Sequence, residues 1–276
     1  MIEFVLPKKK KYPPVNLIFE GKHEDDLIES IINDINIEGE EHDVIESIIN
    51  DINNLKINEL TNINNSEDLD EDRRLFINII KETYNLYIKD GPRSNSNVNH
   101  FHNYIKYELL KIIYDKPNYS VKLEHNVEST NSSGKKKCDI VMLKDNVPYI
   151  IFPVKITKSN YKQNKNNSWE NLTGELQHLK WANDNLKLIP INIFINKTPY
   201  LNNKKKINKF ENVTFCDINN YDILIQKNIA YDIINYIMLV EHNNNVNDNF
   251  DKIPNILGFD NETPYRKLSD ILRELL

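Results

Sequence analysis

Residues 135–155, KKKCDIVMLKDNVPYIIFPVK, constrain the fold more than any other part of the chain. Asp139 leads an apolar run, Lys144-Asp145-Asn146 has turn chemistry, and a second run from Val147 returns to end in Pro153-Val154-Lys155. Two short apolar runs around a tight turn predict a pair of neighbouring β-strands. Neighbouring strands can hold a carboxylate and an ammonium group a few ångströms apart. Such a pair is the minimum equipment for metal-assisted phosphodiester hydrolysis: the acid binds a divalent cation, and the lysine steadies or deprotonates the attacking water.

The net charge of -6 over 276 residues conceals a division. Between positions 20 and 72, 18 acidic residues face 2 lysines, which leaves 33 basic and 23 acidic residues for the rest of the chain. The part containing the hairpin is therefore basic and suits a nucleic-acid partner. Within the acidic segment DLIESIINDIN at 26–36 recurs as DVIESIINDIN at 43–53, each copy opening on an Asp placed to cap an amphipathic helix. This repeat is expected to form a helical hairpin or an acidic arm. Cys138 and Cys216 each sit in an apolar, strand-like run and are expected to be buried thiols. The histidines, His100 and His102 among them, show no metal-ligand spacing with a cysteine or an acid. The basic cluster near the N-terminus follows the apolar residues, and no stretch approaches the roughly 18 apolar residues of a membrane span. A soluble, intracellular, cytoplasmic protein without a membrane partner is expected.

Apolar spacing predicts helices at 71–89 and 99–114, strands at 119–127, 139–143, 147–156, 189–195 and 213–218, and a helix near 169–182. Further helices are expected at 221–241 and after Thr263-Pro264, an apparent cap followed by proline at the first helical position. The predicted organisation is an N-terminal strand and acidic arm (1–72), an α/β core (73–220) and a C-terminal helical region (221–276).

Over about 101–218 the pattern resembles the PD-(D/E)XK nuclease superfamily, with Asp139 as the first-strand acid and Lys155 as the second-strand lysine. The resemblance implies an α/β fold with a restriction-endonuclease-like core, a mixed central β-sheet flanked by helices, with helical N- and C-terminal additions. The family motif carries an acid two residues before the lysine, where this chain has Pro153. Some branches of the family carry that acid on the following helix, where this chain offers Glu170 and Glu175. Position beside the apolar stripe favours Glu175, whereas closeness to Lys155 along the chain favours Glu170, the preferred one of the two. The expected metal site is Mg2+ on Asp139, the Val154 carbonyl and Glu170 or Glu175. Glu108 corresponds to an upstream acid that many members carry.

The segment after Lys155 is expected to be a DNA-contacting loop in which Lys158, Lys162 and Lys165 meet phosphates. Asn160, Gln163, Asn164 and Asn166 would reach base edges there, and Tyr161 would pack on sugar or base. The resemblance implies a magnesium-dependent endonuclease of the type II restriction kind, acting on double-stranded DNA as a homodimer. The alternative is a nuclease fold that lost its acid at Pro153 and binds DNA without cutting it. An arm with so strong an acidic excess repels DNA and must pack away from a basic groove or cover it. If it covers the groove, deleting residues 20–72 strengthens DNA binding, most at low salt; an affinity unchanged across a salt titration rules the covering arrangement out.

Overall fold

The computed structural model describes residues 71–91 and 94–276; the expected N-terminal strand and acidic repeat lie outside the described residues. Helix α1, Glu71–Asp90, opens on two acids, carries Lys89 in its last turn, and buries Phe76, Ile79, Ile80, Thr83 and Tyr84 on one stripe. It ends at Gly91, whose φ of +88° lets its N–H return to the Tyr87 carbonyl at 3.0 Å. Helix α2, Ser96–Ile112, buries Phe101, His102, Ile105 and Leu109.

Strands β1 (Tyr119–Glu128), β2 (Lys135–Lys144) and β3 (Val147–Phe152) form an antiparallel meander, and β4 (Val154–Ile156) follows directly. Helix α3, Tyr161–Ala182, then leads to β5 (Lys187–Leu188) and β6 (Ile191–Ile195). A hairpin of β7 (Lys197–Leu201) and β8 (Ile207–Asn212) precedes two short helices, α4 (Phe215–Ile218) and α5 (Ile223–Gln226). Strands β9 (Ile234–Glu241) and β10 (Asn255–Phe259) and helix α6 (Leu268–Leu272) complete the chain.

Strand order is β1-β2-β3-β5 in one sheet and β10-β9-β6-β4 in the other. The two are joined along a seam set by proline. A proline cannot donate to a ladder, so the expected strand at 147–156 divides at Pro153 into β3 and β4, and its parallel neighbour divides at Pro190 into β5 and β6. Hydrogen bonds still cross the seam, from Ile189 N–H to the Ile151 carbonyl at 2.9 Å and from Ile191 N–H to the Pro153 carbonyl at 2.8 Å. The protein is thus a mixed α/β fold with mixed sheets. Helices α1 and α2 cover one face, where Phe101 and Ile105 pack with Ile140, Ile150, Phe152 and Ile193. On the other face Leu176 and Leu179 of α3 pack with Val141, Ile151, Leu188 and Phe194.

Several sequence expectations are corrected. Residues 221–241 are not one helix: β9 occupies the second half, because its apolar run is buried on both faces and serves as an interior strand. Thr263 caps no helix; its hydroxyl accepts the Ile237 N–H at 2.9 Å, and α6 begins only at Leu268. The expected strand at 213–218 is helix α4, which a reciprocal Thr214–Asp217 capping box starts and which leaves Cys216 exposed. Cys138 is buried as expected, and burial pushes its thiol pKa up to about 12. Among the described residues no helix is long and apolar enough to cross a membrane.

Phe76 fastens α1 to the sheet, with the rings of Phe101, Tyr104, Tyr236, Phe259 and Tyr265 at centroid distances of 5.1 to 5.9 Å. Truncating a buried aromatic removes area and leaves a cavity, so Phe76→Ala is expected to cost about 3–5 kcal/mol in urea unfolding. A loss below about 1 kcal/mol would contradict this packing.

Candidate metal site and adjoining cleft

Strands β1 and β2 exchange faces halfway along. Side chains alternate along a strand, so residues of equal parity share a face. Val121 nevertheless belongs to the α1/α2 side and Val127 to the α3 side, and Ile140 and Cys138 divide in the same way. The reversal falls between the pairs Leu123↔Ile140 and His125↔Cys138, which enclose Glu124 on β1 and Asp139 on β2. Glu124 has φ +51°, a left-handed conformation that turns the strand over at that point. Two carboxylates from adjacent strands are thereby directed to one place.

Asp139 is anchored across the hairpin. The β2–β3 ladder ends at Ile140↔Phe152, Pro153 has no N–H to offer, and the next amide, Val154 N–H, donates to Asp139 Oδ2 at 2.8 Å. Val154 thus meets the acid through its N–H, whereas the sequence reading assigned it a carbonyl role. Above the pair lies His102 of α2, buried, with neither ring nitrogen hydrogen-bonded among the described residues. Burial lowers its pKa, while Asp139 and Glu124 raise it; the net shift is downward and favours the neutral imidazole that ligates metals. One ligand atom each from His102, Glu124 and Asp139 lies within 4.8 Å of the other two, so this group can hold a metal ion. Glu124 also pairs with Lys137 at 2.8 Å.

Strand β4 supplies the lysine and helix α3 a further acid. Lys155 in β4 pairs in register with the buried Asn192 of β6, whose amide donates to Asn235 at 2.9 Å. Glu175 of α3 is half-buried and holds Lys136 at 3.1 Å. Burial raises its pKa, Lys136 opposes that shift, and Asp139 and Lys155 act on it from nearby. Glu170 is exposed. Of the two helix acids, Glu175 is the one brought near Asp139 and Lys155, because α3 begins at Tyr161, two turns before the expected start near Trp169.

Glu108 lies elsewhere. It pairs with Lys111 at 3.2 Å and lines a different cavity, of about 360 Å³, with Tyr104 and Arg266. His102 and Glu124 were missed by the sequence reading, because positions 102, 124 and 139 carry no spacing signal. The pairing of β1 with β2 was the available clue: once the register is known, Glu124 and Asp139 fall between the same two residue pairs.

The expected DNA-contacting loop is mostly helix. Asn160, at φ +54°, starts α3 and accepts the Leu201 N–H on its side chain at 2.6 Å. Tyr161 is buried, with its hydroxyl on the Asp217 carbonyl, and Lys158 is only 4% exposed. Asn160 and Tyr161 are structural and Lys158 is buried, which leaves Lys162, Gln163, Asn164 and Asn166 exposed and Lys165 tied to Asp217 at 3.2 Å. Helical spacing brings Asn164, Asn167, Ser168 and Asn171 onto one stripe, and this stripe walls a cleft of about 470 Å³ that contains Lys155. Asn167 belongs to the segment that reads as a loop in the sequence, so the stripe it shares with Asn171 is visible only once α3 is seen to start at Tyr161. No family model, no curated protein and no solved structure matches the chain.

Titrating the protein with Mn2+ and following the free-ion electron paramagnetic resonance signal tests the site. One ion per chain is expected, with affinity falling at least about tenfold in His102→Ala and in Asp139→Ala and unchanged in Glu170→Gln. Equal binding by all four proteins would remove His102 and Asp139 from the site.

Proposed function

We propose that this protein is a divalent-metal-dependent nuclease with a restriction-endonuclease-like core, acting on double-stranded DNA. One observation carries the reading: His102, Glu124 and Asp139 converge at the point where β1 and β2 reverse faces, Glu175 lies near enough to feel both Asp139 and Lys155, and Lys155 lines a cationic, amide-lined cleft. A bound cation supplies charge neutralisation at the phosphate and a more acidic water.

The protein's own groups do the rest. Lys155, exposed in the cleft, donates to a phosphate oxygen and orients the attacking water. Glu175, whose pKa is raised by burial, is placed to take a proton from that water, and Lys136 holds its carboxylate in position. The Val154 N–H fixes the Asp139 carboxylate within 4.8 Å of ligand atoms of His102 and Glu124. Mg2+ is the expected ion, and the imidazole in the donor set also favours Mn2+, since nitrogen ligands suit the later first-row metals better than magnesium. Double-strand cleavage with one site per chain calls for a symmetric dimer.

Pro153, where the family carries an acid, supports the second reading, a DNA-binding protein without nuclease activity. Incubating the protein with plasmid in Mg2+ or Mn2+ separates the two. Discrete fragments are expected from the native protein, with cleavage slowed about 100-fold or more in Asp139→Ala, Lys155→Ala and Glu175→Gln and nearly unchanged in Glu170→Gln. Binding without cutting in either metal would leave the second reading. Retained cutting in both Asp139→Ala and Lys155→Ala would sink the site assignment.

A further inference from the structure

We propose that the cleft beside Lys155 has a second anion site at Lys158, which takes a phosphate of the nucleic-acid strand next to the one attacked. Lys158 follows β4 by two residues and turns away from Lys155, inward between α1 and α2. Its ammonium donates to Asn97 Oδ1 at 2.8 Å and lies 5.4 Å from the centre of the Tyr87 ring. The Asn97 amide is itself oriented, because its Nδ2 donates to the Ser94 carbonyl at 2.8 Å. The Tyr87 hydroxyl is joined to Ser159 at 3.0 Å, so the ring under the ammonium is also held in place.

No carboxylate pairs with Lys158 among the described residues, although it is 96% removed from solvent and lines the cleft. An isolated buried charge is costly, and folded chains keep one only where it becomes neutral or where an anion arrives to pair with it. Burial alone brings the Lys158 pKa down to about 7, so near neutrality the side chain is poised between these two outcomes. The other titratable groups lining the cleft are Lys155, Lys165, Tyr87, Tyr161 and Tyr221. None of these is a carboxylate; of the carboxylates bonded to the surrounding groups, Asp217 is engaged by Lys165 at 3.2 Å and Asp90 accepts from Ser96 at 2.6 Å. The cleft therefore presents positive charge and amides without a competing carboxylate on its walls.

A phosphate entering this space pairs with the Lys158 ammonium and draws its pKa back toward the ordinary lysine value. Binding above pH 7 must then take up a proton at Lys158. The size and lining fit one nucleotide: about 470 Å³, with Asn164, Asn167 and Asn171 on one wall and Lys155 at the scissile position. That the phosphate belongs to nucleic acid depends on the nuclease reading above; the anion site itself does not.

The test is isothermal titration calorimetry on the full-length protein without divalent metal, at about pH 8, where free Lys158 is mostly neutral. Thymidine 3′,5′-bisphosphate is titrated in two buffers of different ionisation enthalpy, and inorganic phosphate is titrated separately. The native protein is expected to bind the bisphosphate with uptake approaching one proton. Lys158→Met is expected to lose the uptake and bind about tenfold more weakly or worse, while Lys158→Arg, always charged, binds without uptake. Binding by the native protein without proton uptake, no binding of either compound, or unchanged uptake in Lys158→Met overturns the site. If Lys158→Met does not fold, Lys158→Arg alone decides, since uptake retained in it removes Lys158 as the proton acceptor. Inorganic phosphate binding as tightly as the bisphosphate overturns the nucleotide assignment. Neither metal nor cleavage enters this experiment, so a protein that takes up the proton yet cuts no DNA keeps the anion site and loses only the nuclease reading.

Discussion

The hydrogen bond from Val154 N–H to Asp139 Oδ2, 2.8 Å long, is the contact on which the arrangement of the site depends. It exists because Pro153 interrupts the ladder. A strand running unbroken from Val147 to Ile156 would use the Val154 amide for backbone pairing and leave Asp139 to choose its own rotamer. The proline instead ends one sheet and begins the next, and the amide just beyond it becomes the fixed partner of the acid. The residue that departs from the nuclease motif is thus the residue that organises the candidate site. The same break carries the chain from β3 to β4, so that Lys155 pairs with β6 while Asp139 stays on β2.

A second constraint is the left-handed residue Glu124. Non-glycine residues rarely accept this conformation, and here it coincides with the point at which both strands of the hairpin exchange faces. The exchange makes Asp139 accessible to both helical layers. His102 acts on it from the α2 side and Glu175 from the α3 side. In a strictly alternating hairpin an acid faces one layer only. The reversal costs local backbone strain, offset by the deep packing of Ile140 and Met142 on one side and Cys138 and Val141 on the other.

Helix α3 divides its labour along its length. Its first turns carry almost no apolar residues and line the cleft with amides, whereas from Trp169 onward Leu172, Leu176 and Leu179 pack onto the sheet. The early start at Tyr161 is stabilised from outside the helix, by the Asn160 side chain on the Leu201 amide and by Glu211, which accepts the Lys162 N–H at 3.0 Å. Such support from the β7–β8 hairpin has no trace in local propensity. Without it, a run as polar as 161–168 reads as a loop.

The sequence alone determined the elements whose burial follows a local period: α1, most of α2, strands β1 to β3, and the hairpin that carries Asp139 on its first strand and leads into Lys155. The lack of a donor at Pro153 is visible in the sequence, but that it ends one sheet and begins the next, instead of being absorbed in a strand over 147–156, was decided by the tertiary structure. Tertiary structure alone decided which other groups join Asp139 and Lys155. His102, Glu124 and Glu175 meet Asp139 through strand register, a reversal of faces and the starting point of a helix, and each of these is set by contacts between segments far apart in the chain. The same holds for Lys158. As a residue type it belongs at the surface, and only the closing of Tyr87 and Asn97 over it turns a surface cation into a buried one.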